Sequence, residues 1–140
     1  ERAQRAGLKV SLYPHTGFWL ERVQDAVRLA KKADRPNVGV TFNLCHCLKV
    51  GDAARVGELL DLARPYLTFV TLNGAEREGD WSRLIQPLGQ GSFDVGAVLQ
   101  KLDALGYAGP VGLQHYGVKG DARAKLGQSM DAWRALGQGK

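Results

Sequence analysis

The sequence predicts an α/β fold built on a parallel sheet. Four short stretches rich in β-branched and aromatic residues alternate along the chain with longer segments of helical periodicity. These stretches recur every ~30 to 40 residues, which is the spacing of β-α-β units, and such alternation favours a parallel sheet. The chain of 140 residues is long enough for one domain with its own core, and no linker divides it. We therefore expect a single domain over residues 1–140.

The first half of the chain is predicted to hold two strands, at Leu8–Tyr13 and Asn37–Leu48. Both alternate apolar and polar residues and both follow a turn-forming residue, Gly7 or Pro36. The second strand is expected to continue into a cluster of polar and sulfur-containing side chains. Helices are predicted where a C-cap glycine follows or where apolar residues recur at helical spacing: Glu1–Ala6, Trp19–Ala33 and Asp52–Ala63.

The second half repeats the pattern. A third strand, Leu67–Leu72, follows Pro65 and ends before Asn73-Gly74. An irregular connection over Glu76–Gly91 is expected to be anchored by its apolar side chains, including Trp81. The remaining predicted elements are the helix Val95–Leu105, the strand Gly109–Tyr116 and the helix Asp121–Leu136.

Neutral polar side chains gather at the ends of all four predicted strands. The four pairs, which include every histidine of the chain, are Tyr13 and His15, Asn43 and His46, Thr71 and Asn73, and Gln114 and His115. The carboxyl ends of parallel strands meet at one edge of a sheet, where ligands bind. Amides and imidazoles match the two-way hydrogen bonding of sugar hydroxyl groups. The alternative is that these side chains only satisfy backbone groups of the loops.

Several single residues admit two interpretations. His15 and His46 are either functional or structural at the strand ends, and Trp19 either lines the mouth of the site or packs on the following helix. Tyr13 is either an acid–base group or, since a phenol titrates near pH ~10, a hydrogen-bond donor. His115 follows Gln114 directly, so alternation turns it to the opposite face and favours a structural role.

Composition limits the partners and the compartment. The net charge is +5, but Lys and Arg are dispersed without a run of like charges, so we expect no nucleic-acid partner. No stretch is long and apolar enough to span a membrane, and no signal peptide is recognisable. Cys45 and Cys47, placed on one face of the second strand, are expected to be buried free thiols in a reducing, cytoplasmic compartment. Because the chain opens with Glu1 rather than Met, its amino terminus gives no further information on localisation.

Three motifs resemble the xylose-isomerase-like TIM-barrel superfamily of sugar phosphate isomerases and epimerases. They are Leu12-Tyr13-Pro14-His15, Asn43-Leu44-Cys45-His46, and the run Leu88-Gly89-Gln90-Gly91-Ser92-Phe93-Asp94-Val95 followed by Leu105-Gly106-Tyr107-Ala108-Gly109-Pro110. The resemblance implies four β/α units, the carboxyl-terminal half of a barrel that takes about 250 residues when complete. It also implies that a missing amino-terminal half or self-association completes the barrel. We further expect Val40, Phe42 and Phe69 to point inward and to require cover, which would make the isolated chain associate or dissolve poorly.

The resemblance places four residues where metal-dependent members of the family carry Glu, Asp, His and Glu: Tyr13, Asn43, Thr71 and Gln114. Because none of these four is anionic and hard divalent cations need anionic oxygens, we expect no metal cofactor. Neither Asn nor Gln acts as a general base. His46 matches a histidine that lies near the substrate in the family.

Two functions follow from these expectations. The first is a sugar isomerase or epimerase, or a related lyase, with the rest of its machinery in a missing half. Its candidate catalytic residues are His46 and Tyr13, and its candidate substrate-binding residues are His15, Trp19, Asn43, Asn73 and Gln114. The second is a non-catalytic, metal-free carbohydrate-binding or scaffold protein. The apurinic-site endonucleases of the same superfamily need more His and carboxylate ligands than this chain holds.

Overall fold

The structure, a computed structural model, describes residues 1–137. In this part of the chain a single four-stranded sheet has the order β1 (Val10–Leu12), β2 (Val38–Asn43), β3 (Leu67–Leu72) and β4 (Val111–Leu113), and all neighbours are parallel. The α-helices are α1 (Arg2–Arg5), α2 (Val23–Ala33), α3 (Leu44–Lys49), α4 (Val56–Ala63), α5 (Trp81–Leu84), α6 (Val95–Ala104) and α7 (Ala122–Gly137). Short 3-10 helices lie at Ala53–Arg55 and Arg64–Tyr66. The predicted α/β fold is confirmed.

The register of the strands brings four residues to one edge of the sheet: Tyr13, Asn43, Thr71 and Gln114. These are the residues that the family resemblance matches to metal ligands, and we call them the four substituted positions. Asn43, the last residue of β2, pairs with Thr71 of β3. Tyr13 follows β1 directly, and Gln114 follows β4 with its backbone N–H donating to the Leu72 carbonyl oxygen at 2.8 Å. All four residues therefore lie at or next to the carboxyl edge, where a parallel sheet carries its ligands.

The helix-facing side of the sheet forms the hydrophobic core. Val40 and Phe42 of β2 are 0% exposed and belong to the same buried cluster as Ala26 of α2 and Leu59 of α4. The prediction that Val40 and Phe42 point to the open face was therefore wrong. Side chains alternate along a strand, so Phe42 must point away from the edge group of Asn43.

The open face of the sheet is more polar than predicted. Ser11 Oγ lies 2.7 Å from Thr41 Oγ1 and 2.6 Å from Thr68 Oγ1, which links three neighbouring strands through hydroxyl groups. Phe69, which pairs with Thr41, remains the large apolar side chain predicted for this face and is half-buried. Hydroxyl groups on this face reduce the apolar surface that a partner would have to cover.

The predicted second strand is in fact a strand followed by a helix. β2 ends at Asn43, whose side chain accepts a hydrogen bond from the His46 backbone N–H at 3.2 Å and thereby caps α3. Cys45 and Cys47 therefore lie on a helix, not on one face of a strand, and both are buried free thiols as predicted. Every residue from Leu44 to Leu48 is buried, so α3 lacks the polar face that makes a helix recognisable.

Other boundaries moved by smaller amounts. α2 begins at Val23 rather than at Trp19, and the irregular connection after β3 contains the short helix α5, capped by Asp80. The edge strands β1 and β4 have three residues each. Within residues 1–137, no helix combines the length and the hydropathy that crossing a membrane requires.

Candidate functional site

A cleft of about 670 Å³ opens at the carboxyl edge of the sheet. It is bounded by the loop after β1, by α3, by α5 and by the loop after β4. The residues that line it are Tyr13, His15, Thr16, His46, Trp81, Ser82, Ile85, Gln114, Tyr116 and Gly117. Four of the predicted site residues, Tyr13, His15, His46 and Gln114, are thus brought together. None of the described lining residues is a Lys, Arg, Asp or Glu.

Asn43 lies beneath the cleft and orients its floor. Its side-chain amide nitrogen donates to the Tyr13 hydroxyl, and its amide oxygen accepts from the His46 backbone N–H and from the Cys45 thiol, at 3.2 and 3.0 Å. Because the Tyr13 oxygen accepts from Asn43, its own hydrogen remains available to a group in the cleft. Asn43 is only 1% exposed and its polar atoms are engaged, so it positions Tyr13 and α3.

His46 is held as a neutral imidazole with a defined hydrogen-bonding direction. Its Nδ1 accepts from the Thr16 backbone N–H at 3.3 Å, which places the ring hydrogen on Nε2. Burial, with a smaller effect from the charge on His15, lowers the pKa of His46 to about 4. At neutral pH the residue therefore offers an Nε2–H donor, and its acceptor atom is already engaged.

Aromatic rings surround His46. The His15 ring lies 4.0 Å from it, the Trp81 ring meets it edge-on at 5.3 Å, and the Tyr13 ring meets it edge-on at 5.8 Å, all measured between centroids. Lys49 of α3 lies 5.3 Å from the centroid of Trp81 and donates to the Gly79 carbonyl oxygen at 3.1 Å. The arrangement gives the cleft flat apolar faces next to a few directed polar groups.

The thiol nearest the cleft is not a nucleophile. Burial raises the pKa of Cys45 to about 11, and a hydrogen bond with Gln114 offsets this only in part. Burial likewise raises the pKa of Cys47, to about 12. Because the thiolate is the reactive form, both cysteines are inert packing groups at neutral pH.

Three residues considered from the sequence lie away from the cleft. Asn73 is fully buried and its amide nitrogen donates to the carbonyl oxygens of Leu84 and Gly74, at 2.7 and 2.8 Å, so it fastens the loop after β3. Trp19 is 87% exposed and does not line the cleft. His115 points to α7, where its Nε2 lies 3.3 Å from the Ser129 hydroxyl.

Trp81 and Tyr116 are lining residues that the sequence analysis did not single out as part of the site. Trp81 was predicted only as an anchor of an irregular connection. The available signal was Asp80, which accepts from the Arg83 backbone N–H at 3.1 Å and begins a helix that turns Trp81 toward α3. Tyr116 is the last residue of the fourth predicted strand. This position was the available signal that it belongs to the site.

The four substituted positions do not fit a divalent cation. Tyr13, Asn43 and Gln114 offer neutral oxygens or nitrogens, and the Asn43 amide is committed to protein partners. The Thr71 hydroxyl is buried without a hydrogen-bond partner and carries no charge. Throughout residues 1–137, no three His, Cys, Asp or Glu side chains are grouped closely enough to hold a metal ion. Mg²⁺ and Mn²⁺ require anionic oxygens to replace lost hydration, and this donor set supplies none.

The fold and the position of the cleft define an α/β protein of the barrel type. The xylose isomerase-like TIM barrel family matches residues 1–136, and the chain belongs to that family. No sequence among the curated proteins compared matches it.

Solved structures of similar fold include several sugar epimerases. The 3-keto-D-glucoside 4-epimerase of E. coli is 23% identical with a TM-score of 0.75, over 97% of this chain and 48% of that one. A D-tagatose 3-epimerase-like protein is 20% identical with a TM-score of 0.73, over 97% of this chain and 49% of the other. The D-psicose 3-epimerase of Clostridium cellulolyticum H10 is 22% identical with a TM-score of 0.67, over 98% and 44%. The chain thus spans about half the length of these proteins.

Proposed function

We propose that this chain is the part of a sugar isomerase- or epimerase-like protein that binds an uncharged carbohydrate at the carboxyl ends of its strands. The observation that carries the proposal is the cleft itself, which combines five aromatic rings with directed hydrogen-bonding groups and has no Lys, Arg, Asp or Glu among its described lining residues. Hydroxyl groups pair with such donors and acceptors, and ring faces accept the C–H surface of a sugar. The epimerases of similar fold agree with this class of ligand.

The residues of the cleft have distinct tasks in this proposal. His46 donates from Nε2 and Tyr13 donates its hydroxyl hydrogen, so both address oxygens of the ligand. Gln114 supplies an amide from the end of β4, and Trp81 closes the side next to α3. A proton transfer at carbon needs a base, and in the described cleft the Nδ1 atom of His46 already accepts from Thr16. In its neutral form His15 donates from Nδ1 to the Thr16 carbonyl oxygen at 2.9 Å, which leaves its Nε2 as an acceptor. If the whole protein is an enzyme, its base is therefore His15 or a group outside these residues.

The proposal is tested by titrating the protein with D-fructose, D-glucose, D-tagatose and D-xylose in a calorimeter. We expect at least one of them to bind, and His46→Ala and Gln114→Ala each to weaken that sugar about three- to tenfold, the effect of one lost hydrogen bond. The matched control is His115→Ala, since His115 lies against α7. An equal loss of sugar affinity in all three variants would contradict the proposal. So would the failure of the wild-type protein to bind any of the four sugars.

The second candidate function is a non-catalytic carbohydrate-binding or scaffold protein. It is favoured by the neutral residues at all four positions that the family resemblance matches to metal ligands, which supply no anionic ligand and no carboxylate base there. Incubating the protein with a bound sugar in deuterated water separates the two candidates. An isomerase or epimerase exchanges the hydrogen next to the carbonyl group, whereas a binding protein leaves it in place.

We also propose that the open edges at β1 and β4 are closed in the functional protein by further strands. These come from an amino-terminal half of a longer chain or from a second copy. Val10 and Leu113 on the two edge strands are 38% and 40% exposed, which supports a partner there. A monodisperse 15 kDa monomer at high concentration in size-exclusion chromatography would count against self-association.

A further inference from the structure

A continuous series of ring contacts leads from the cleft to the protein surface. It begins at Trp81, passes through His46 and His15, and ends at Phe18, with centroid separations of 5.3, 4.0 and 4.3 Å. The last pair is nearly parallel, with 27° between the ring planes. His46 is 5% exposed, whereas Trp81 and Phe18 at the two ends of the series are 40% and 68% exposed. The aromatic surface therefore extends beyond the cleft that encloses His46.

The outer end of this series is held in place. The His15 backbone N–H donates to the Leu20 carbonyl oxygen at 2.8 Å, and the Phe18 N–H donates to the His15 carbonyl oxygen at 3.1 Å. The Gly17 N–H, in the left-handed conformation at φ +82°, donates to the Glu21 carboxylate at 2.7 Å. These bonds fix the turn that presents Phe18, so the ring is preorganised for a ligand.

A second exposed aromatic, Tyr116, stands at the mouth of the same cleft. It is 82% exposed, although it lines the cleft with one side. Large exposed rings gathered around one opening mark a contact surface. These rings are continuous with the hydrogen-bonding interior of the cleft. This continuity favours a ligand that extends outward from the cleft, rather than a separate partner that contacts only the surface.

We propose that Phe18 forms a second sugar subsite, so that the ligand of this cleft is a glycoside or disaccharide. This inference rests on the proposed carbohydrate-binding function. One sugar ring lies in the cleft against His46, and the ring joined to it leaves through the mouth and stacks on Phe18. Stacking on an aromatic face needs no charge, in keeping with the absence of Lys, Arg, Asp and Glu among the described lining residues.

The test compares monosaccharides with the disaccharides that contain them: D-glucose with cellobiose, D-galactose with lactose, and D-fructose with sucrose. We expect at least one disaccharide to bind about three- to tenfold more tightly than its component. Phe18→Ala and Phe18→Leu should remove this advantage and leave the monosaccharide affinity within about twofold, whereas Phe18→Tyr should retain it. Leu62→Ala, which truncates an exposed apolar side chain on α4, is the matched control.

The outcomes separate the subsite from the function on which it rests. If Phe18→Ala leaves the affinities for the monosaccharide and the disaccharide unchanged, or weakens both equally, the subsite is overturned and the proposed function stands. A change in oligomeric state without any change in sugar affinity shows that Phe18 contacts protein, and it also overturns the subsite. Absence of sugar binding by every variant overturns the proposed function and the subsite together.

Discussion

The imidazole rings of His15 and His46 lie 4.0 Å apart with their planes tilted by 42°. Thr16 links them, since its backbone N–H donates to Nδ1 of His46 while its carbonyl oxygen lies 2.9 Å from Nδ1 of His15. A proton on Nδ1 of His46 would place a positive charge on a buried ring and would displace the hydrogen bond from the Thr16 N–H. The packing that gives the cleft its aromatic wall therefore also keeps His46 neutral.

The first prediction concerns pH. Burial and, secondarily, the His15 charge lower the pKa of His46 to about 4 from 6.5. The unfolded chain therefore takes up this proton near pH 6.5 and the folded chain only near pH 4. The contribution of His46 to the free energy of unfolding is therefore constant above pH 6.5. It falls by about 2 kcal/mol as the pH drops toward 4.

Urea unfolding of the wild-type protein and of His46→Gln at pH 7.5 and about pH 4.5 measures this effect. We expect the variant to lose much less stability on acidification. The pKa of His115 is also lowered, by burial and by Lys125, but this contribution is present in both proteins and cancels in the comparison. An identical pH dependence of the two proteins would show that His46 is not held neutral by the fold.

The second prediction concerns Asn43. Asn43→Ala removes both the cap of α3 and the donor to Tyr13, and we expect it to lower the unfolding free energy by about 2 kcal/mol. Asn43→Ser retains an oxygen that caps α3 but cannot reach Tyr13, so about 1 kcal/mol should be recovered. Chemical denaturation checks both values. Equal destabilisation by Ala and Ser would mean that the cap contributes nothing.

The third prediction concerns metal. The purified protein should contain no stoichiometric Mg, Mn or Zn. A bound metal would stabilise the folded state, so in its absence a chelator should leave the melting temperature unchanged. The combined variant Tyr13→Glu, Asn43→Asp, Thr71→His and Gln114→Glu should gain a divalent cation and a melting temperature that falls on chelation. Elemental analysis showing one metal per wild-type chain would overturn the assignment of these positions.

The fourth prediction concerns the Gly-x-Gly segment over Gly89–Gly91. Gly91 has φ +84°, and a Cβ there would lie 2.1 Å from the Ala75 carbonyl oxygen. Gly91→Ala should therefore destabilise the fold by about 3 kcal/mol or more. Gly106 also has positive φ, +66°, but open space around it, so Gly106→Ala should cost only about 1 kcal/mol. Thermal unfolding that ranks the two variants equally would contradict the close packing of this loop on Ala75, in the segment that follows β3.

Much of the fold could be predicted from the sequence because the strands alternate and the glycines and prolines end them. The polar ends of the strands also indicated that Tyr13, His15, His46 and Gln114 lie together at one edge of the sheet, where they share one cleft. Helix α3 could not be predicted, because a helix buried on every side has no amphipathic pattern.

The details of the site depend on contacts that sequence patterns do not encode. Asn43 and Asn73 are the same residue type at equivalent strand ends, yet one positions Tyr13 and the other fastens the loop carbonyls of Leu84 and Gly74. The ring series that ends at Phe18 joins three separate segments of the chain. Such tertiary contacts decide which polar and aromatic side chains face a ligand.

The central claim, that an uncharged sugar binds at the carboxyl edge of this half-barrel sheet, is tested most directly by NMR. The amide and side-chain shifts of the labelled protein are followed while a sugar that binds in calorimetry, or a disaccharide that contains it, is added. We predict changes concentrated at His15, His46, Trp81 and Gln114, with little change along α7. No change up to high sugar concentration, or changes confined to Leu126, Met130 and Trp133 of α7, would contradict the account.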